Sequence, residues 1–257
     1  MADAILDGEL MDAAQATISV ADEGLLRGDG VFEVICLYDG RPFAYDDHFV
    51  RMQRSADNLR LPFDAAAMRA DADKLLGEAD GDGLLRLLTT RGGRRIGLLE
   101  PMPVYPPTLS LASIEYAPTR VLDQIKSLSY GANMLSDRLA KEKGADLALL
   151  ITPHGRILEG ATSSFFAVLD GKLVTPPISE HILASITRKY VLETSEVEER
   201  TLTRDDIPNF TEAFLASTTR EVHPVHRIDD VEIAAAPGPL SQSAAEALSA
   251  HIEASLQ

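Results

Sequence analysis

A single cysteine, Cys36, stands in a chain of 257 residues, so no disulfide within the chain is possible. It lies in the apolar run Val31-Phe32-Glu33-Val34-Ile35-Cys36-Leu37 and reads as a small buried thiol rather than a reactive one. Basic residues are scarce: 24 Lys and Arg face 40 Asp and Glu, a formal net charge of −16. That balance excludes a generic nucleic-acid binder and a protein held to anionic membrane, since both need basic patches. It leaves the substrate open, because a local cationic pocket can sit inside an acidic shell. No apolar stretch approaches the roughly 20 residues of a membrane span, and Met1-Ala2-Asp3-Ala4 shows no charged leader, so the cytoplasm is the expected compartment. His154, His181, His223, His226 and His251 have no metal-ligand spacing with carboxylates or cysteine, and His223-Pro224-Val225-His226 reads as a loop or strand feature. Arg27-Gly28-Asp29-Gly30 lacks the dinucleotide fingerprint and its strand-to-helix setting. No Gly-x-Ser-x-Gly elbow offers a hydrolase nucleophile.

What is present is ordinary for a globular chain: 45% hydrophobic and 25% charged residues, enough length for one large domain or two small ones. Asp7-Gly8, Asp39-Gly40 and Asp170-Gly171 punctuate short apolar runs and read as hairpin turns, whose two central positions need positive φ. Strands are expected at Ala4-Leu6, Val31-Leu37, Pro42-Ala44, Leu84-Thr90 and Thr108-Ile114. One helix should start at Asp46 as N-cap, with Phe49, Met52, Ala56 and Leu59 along one face, and a second should cover Ala65 to Glu78. Proline-rich Glu100 to Pro107 reads as a loop into the strand at Thr108, and Pro118 marks a better boundary. The expected organisation is a smaller N-terminal α/β domain over 1–115, a linker over 116–122 and a larger C-terminal domain over 123–257. In the latter, helices are expected near 132–143, 182–192 and 241–256, and strands near 147–152, 165–169 and 212–216. The class is α+β, with mixed, mostly antiparallel sheets in two lobes.

Lys126 and Glu159 carry the most chemistry. The lysine lies between apolar Ile125 and Leu128, where partial burial favours a neutral amine; Lys141, Lys143, Lys172 and Lys189 lack that setting. An amine can form a Schiff base with an aldehyde, and a carboxylate 33 positions on can pair with a protonated pyridine nitrogen; the pair suggests pyridoxal phosphate. Its dianion needs anchors. His48-Phe49-Val50-Arg51 puts an imidazole and a guanidinium about one helical turn apart, or carries a solvated arginine. Ser185-Ile186-Thr187-Arg188 opens a helix whose first N–H groups suit phosphate, or simply caps it. Ser217-Thr218-Thr219 ends a strand with three hydroxyls, and Tyr130 either reaches the cofactor or completes a core.

In this order the motifs resemble the class IV (fold type IV) pyridoxal-phosphate enzymes, a family that includes branched-chain and D-amino acid aminotransferases and 4-amino-4-deoxychorismate lyase. Arg27-Gly28-Asp29-Gly30-Val31-Phe32-Glu33, His48 to Arg51, Ile125-Lys126-Ser127, Leu158-Glu159-Gly160 with Ser163-Ser164-Phe165-Phe166, Leu173-Val174-Thr175-Pro176-Pro177, Ser185 to Arg188 and Ser217-Thr218 are similar to family segments across most of the chain. The resemblance implies that Lys126 holds the cofactor and serves as acid and base. It implies further that Glu159 keeps the pyridine nitrogen protonated, that Arg51, Ile186, Thr187 and Thr218 bind phosphate, and that Tyr130 lies near the phenolic oxygen. It also implies a homodimer in which the partner completes the substrate pocket, with the active site between the two lobes. Two positions depart from the family: Ser164 stands where asparagine is frequent, and Ser185 where glycine is usual, so the backbone at 185 must avoid a glycine-only conformation. Arg91, Arg94 and Arg95, with Thr219, are candidates to bind a substrate carboxylate, or the arginines are solvated loop charges. The expected activity is amino transfer between an amino acid or amine and a 2-oxo acid by a ping-pong cycle. The alternatives are 4-amino-4-deoxychorismate lyase and a cofactor-binding protein without turnover.

Overall fold

The computed structural model describes residues 2–257, and contacts divide them into two compact units. One contains the chain up to Pro103 together with Gln124–Tyr130, and the other Val104–Asp123 with Gly131–Ser255. This differs from a division at 116–122. The strand Leu109–Glu115 pairs into the second unit's sheet, and the segment carrying Lys126 hydrogen-bonds within the first, with Phe32 N donating to the Lys126 carbonyl at 3.1 Å and Leu128 N to the Gly30 carbonyl at 2.9 Å.

The first unit holds β1 (Ala4–Leu6), β2 (Glu9–Met11), α1 (Glu23–Arg27), β3 (Gly30–Tyr38), β4 (Arg41–Pro42), α2 (Tyr45–Asn58), α3 (Ala65–Leu76), β5 (Gly83–Thr90) and β6 (Arg95–Glu100). Its six strands form an antiparallel sheet in the order β2-β1-β6-β5-β3-β4. Asp7-Gly8 and Asp39-Gly40 have positive φ at both residues, as the hairpin reading requires. Helix α2 starts one residue before Asp46, at Tyr45. Ala44 occupies the cap in a left-handed conformation without a side-chain bond, while Asp46 and Asp47 favour the positive end of the helix from its first turn. Strand β4 accordingly stops at Pro42 rather than Ala44.

The second unit holds β7 (Leu109–Glu115), α4 (Gly131–Glu142), β8 (Leu147–Ile151), β9 (Arg156–Gly160), β10 (Ser164–Leu169), β11 (Lys172–Thr175), α5 (Ile186–Thr194), β12 (Val197–Glu199), β13 (Leu202–Thr203), β14 (Glu212–Ser217), β15 (Glu221–Ile228), β16 (Val231–Glu232) and α6 (Pro239–Ser255). Its ten-stranded sheet runs β12-β11-β10-β14-β15-β7-β8-β9-β13, with β16 on β15. The pairs β11–β12, β15–β7 and β7–β8 are parallel and the rest antiparallel, which gives the mixed class read from the sequence. The runs Leu147–Ile151 and Ser164–Leu169 are apolar without alternation because both faces of this sheet are covered. Leu149 and Ile151 enter one core and Ala148 and Leu150 the other, following the period of two. Phe166 stacks on Phe214 of the neighbouring strand with ring centroids 4.7 Å apart.

Helix α2 puts two stripes on one side. Phe49, Met52 and Ala56 fill the first unit's core, while His48, Arg51 and Ser55 are buried beside them. Glu33, a carboxylate inside the apolar strand β3, meets that second stripe. Arg51 donates from Nε to Glu33 Oε1 at 2.7 Å and from a terminal nitrogen to Oε2 at 2.6 Å, and His48 Nδ1 lies 2.8 Å from Oε2. Burial alone would raise the Glu33 carboxyl; the Arg51 charge and its hydrogen bonds, helped by His48, outweigh burial and lower it to about 2. Burial also lowers His48, so the imidazole is neutral. Because the folded Glu33 lies below its ordinary 4.5, its contribution to stability is complete above that pH and falls away as pH drops toward about 2. Glu33→Gln leaves the Arg51 charge buried without its counterion, at a cost of about 3–5 kcal/mol. Urea unfolding at pH 7 should show that loss, and the gap between variant and wild type should narrow as pH falls from 4.5 toward 2. An equal gap at pH 7 and at pH 2.5 would show that the carboxylate charge is irrelevant.

Candidate active site

In the first unit the lysine segment runs as an added edge beside β3, with Ser127 bridged to Val31. Lys126 N donates to Ser55 Oγ at 3.2 Å, which ties the segment to α2 one turn beyond Arg51. The side chain then lies among aromatics: Nζ is 4.2 Å from the centre of the Phe32 ring and 5.5 Å from that of Tyr130. The two rings meet edge to face at 5.2 Å, so Tyr130 both walls the amine and packs on Phe32. Arg27 to Gly30 supports this edge. Gly28 caps α1 with φ +67, and a Cβ there would lie 2.8 Å from Ser129 Oγ; at Gly30 it would meet the Thr89 carbonyl oxygen at 2.4 Å. The glycines thus admit the lysine segment.

The arginine-rich turn after β5 is laced with ion pairs. Arg91 pairs with Asp29 and also donates to the Arg60 and Leu59 carbonyls at 3.0 and 3.1 Å. Arg94 pairs with Asp7, and Arg95 with Asp71 at 2.7 Å. Each guanidinium has a carboxylate of its own, and these pairs staple the turn.

In the second unit several strand ends converge. Strand β9 ends at Glu159-Gly160, β10 begins at Ser164, and Ser164 is paired with Ala216, two residues before Thr218. Glu159 Oε1 accepts from Leu183 N at 3.2 Å, which draws the lead-in to α5 against β9. Tyr116 is half-buried nearby; burial first, then the Glu159 charge, raises its phenol. Asn133 Nδ2 donates to the Ala161 carbonyl at 2.7 Å and fixes the β9–β10 connection to α4. Ser163 Oγ and Ser164 Oγ are buried and make no hydrogen bond among the described residues.

Helix α5 starts at Ile186, four residues later than the pattern indicated, because Ser185 rather than an earlier residue caps it. Ser185 has φ −69 and ψ 137, and its Oγ accepts from Arg188 N at 3.2 Å. Serine is therefore tolerated where the resemblance led one to expect glycine: the backbone is extended, not left-handed. The N–H groups of Ile186 and Thr187 precede the first intrahelical bond and so have no acceptor within α5. Thr218 and Thr219 lie in the turn between β14 and β15, with Thr219 Oγ1 2.8 Å from the Tyr105 hydroxyl.

Arg51, Lys126 and Tyr130 are thus gathered in one unit, and Glu159, Ile186, Thr187, Thr218 and Thr219 in the other. Sequence reasoning missed Glu33 as the partner of Arg51, although a lone carboxylate in an apolar strand is itself a signal of a buried pair. It also missed Phe32 as a wall of the amine, and the two unbonded serine hydroxyls. Each unit by itself offers groups that suit a phosphorylated pyridine aldehyde: the first an amine among aromatic faces, the second a carboxylate, a helix start and orphaned buried hydroxyls. Among the described residues, no group of acidic, histidine or cysteine side chains suits a metal ion, and no helix is long and apolar enough to cross a membrane.

Comparison with known proteins agrees with this chemistry. The model of the amino-transferase class IV family matches residues 30–228. D-alanine aminotransferase of Bacillus licheniformis is 32% identical over 95% of this chain and 95% of its own length. The branched-chain aminotransferase of Thermoproteus uzoniensis, solved with norvaline, superposes with a TM-score of 0.89 at 25% identity over 98% of this chain and 94% of that one. A hypothetical aminotransferase of Mycobacterium tuberculosis in its PLP-bound form shares the fold with a TM-score of 0.89, at 24% identity over 99% of this chain and 100% of that one. These relatives favour transamination over the lyase alternative. On that match over most of its length, the chain belongs to the class IV aminotransferases, enzymes that transaminate with pyridoxal phosphate.

Proposed function

We propose that Lys126, Glu159, Arg51, Ile186, Thr187 and Thr218 are the residues through which this chain moves an amino group from an amino acid to a 2-oxo acid in two half-reactions. The observation that carries the reading is the placement of Lys126. Its amine lies over the Phe32 face, on a segment pinned to β3 and α2 by backbone bonds. Bound pyridoxal phosphate supplies an aldehyde carbon and an electron-withdrawing pyridinium ring. Lys126 Nζ would hold the cofactor and, once the donor's amine displaces it, would take the donor's α proton and give it back within the same half-reaction. Phe32 and Tyr130 limit water around that nitrogen. The Glu159 carboxylate, which accepts from Leu183 N, would keep a proton on the ring nitrogen. The α5 start and Thr218 would donate to the phosphate, and Arg51 would contribute positive charge from a guanidinium whose orientation Glu33 fixes.

The compartment we assign is the cytoplasm, in keeping with a chain whose one cysteine, Cys36, is buried. Two copies are proposed to pair, for which exposed Leu25, Leu26, Val104 and Val121 offer apolar surface; light scattering should then give twice 27.8 kDa rather than the single-chain mass.

Purified protein with added pyridoxal phosphate should show a visible absorption band that Lys126→Ala abolishes or shifts. Adding D-alanine, a branched-chain L-amino acid, L-glutamate or an (R)-amine one at a time should bleach the band with at least one donor. Glu159→Gln should keep the band but slow that half-reaction by about 10²–10³-fold. No band, a band indifferent to Lys126→Ala, or an unslowed Glu159→Gln would each contradict the assignment of roles. Pyruvate released from aminodeoxychorismate, with every donor inert, would turn the reading to the lyase.

A further inference from the structure

Arg220 is partly buried and forms no ion pair with a carboxylate among the described residues, in a chain with 40 acidic residues. Arg51, Arg86, Arg95 and Arg188, also partly or fully buried, each have a carboxylate in contact, and Arg227 donates to the Asp229 and Gly144 carbonyl oxygens. Arg220 is held by neutral groups instead. Its guanidinium carbon lies 3.8 Å from the centre of the Tyr105 ring, and one terminal nitrogen is 3.2 Å from His223 Nδ1. The hydrogen-bond chain fixes the histidine tautomer. His223 Nε2 is 2.7 Å from the Pro106 carbonyl oxygen, which can only accept, so Nε2 carries the proton and Nδ1 accepts from Arg220. The Tyr105 hydroxyl is in turn 2.8 Å from Thr219 Oγ1.

An aromatic face and a neutral imidazole orient the cation without neutralising it. Burial lowers the Arg220 proton affinity, and Asp137 and Asp146 compensate only as longer-range charges. Keeping a cation half-desolvated without a counterion is unfavourable, so a chain that retains one has built a place for an anion that comes and goes. The turn is built at a cost as well: Arg220 N closes it on the Ser217 carbonyl at 3.1 Å, and the next residue, Glu221, takes φ +51, a left-handed conformation that favours glycine. Thr218, two residues earlier, is a proposed cofactor contact.

We propose that Arg220, positioned by Tyr105 and His223, recognises a carboxylate of the substrates. The inference rests on the transaminase reading. It adds to that reading the residue that distinguishes carboxylated substrates from simple amines. A ping-pong enzyme binds donor and acceptor in turn, and a cation with no permanent partner can release one carboxylate and take the next.

The test uses the cofactor-loaded enzyme and its Arg220→Met and Arg220→Lys variants. Arg220→Met should raise KM for 2-oxo acids at least tenfold, with kcat and cofactor affinity little changed and with (R)-amine donors unaffected; Arg220→Lys should recover part of the loss. A rise confined to 2-oxoglutarate assigns the contact to a side-chain carboxylate. A rise shared by pyruvate assigns it to the carboxylate beside the reacting carbon. Non-reacting propionate or glutarate should raise the thermal midpoint of the wild type more than that of Arg220→Met, a readout that needs no turnover. Unchanged KM values, a loss confined to kcat, or weaker pyridoxal phosphate binding by Arg220→Met would overturn the proposal. A wild type inert toward every donor would sink the transaminase reading, while the carboxylate-induced thermal shift would still decide for or against Arg220.

Discussion

The ion pair between Glu33 and Arg51 is the constraint on which the rest of the first unit depends. Both groups are buried, and neither is tolerable there alone. Their bidentate contact, with His48 on the same carboxylate, sets how α2 lies across β3. That alignment places Ser55 where it accepts from the Lys126 backbone, and Phe32, the residue before Glu33, where its ring lies under the Lys126 amine. A charged core contact thus has a functional consequence. It fixes the amine's surroundings and presets an arginine that would otherwise sample many rotamers.

The second unit reaches its chemistry by a different route. Its sheet is covered on both faces, so its strands are apolar along their length and the polar groups collect where strands end. Glu159, Ser163, Ser164 and Thr218 all lie at such ends, and Ser185 begins the helix beside them. A rigid sheet with polar termini positions donors without polar groups inside the core, and a serine cap leaves the first N–H groups of α5 directed outward from the helix.

Much of this was legible because certain residues admit few interpretations. Asp-Gly pairs fixed three hairpins through their need for positive φ, and Asp64 capped α3 at the start its pattern suggested. Lys126, Glu159 and the Ser185–Arg188 turn stood out because an amine, an acid and a helix start suit one cofactor. Other elements were hidden for physical reasons. Strand β6 contains Gly97, which breaks a strand pattern; it is there because a Cβ would come within 2.7 Å of Ile5 Cγ2 and 3.0 Å of Leu75 Cδ2. Strand β15 contains Pro224, which argues against a central strand, yet pairing with β7 on one side starts only at Val225. The ion pairs of the three arginines after β5 were hidden because a sequence does not show that Asp7, Asp29 and Asp71 fold against them. Arg220 was passed over for the opposite reason: what marks it is the absence of a carboxylate, visible only in three dimensions.

The central claim is that one lysine among several is the point of attachment. It is tested most directly by treating the pyridoxal-phosphate-loaded protein with borohydride and mapping the pyridoxyl group by peptide mass spectrometry. The account predicts stoichiometric label on Lys126 and little on Lys141, Lys143, Lys172 or Lys189. Label spread among those lysines, or concentrated on any one of them, would contradict it.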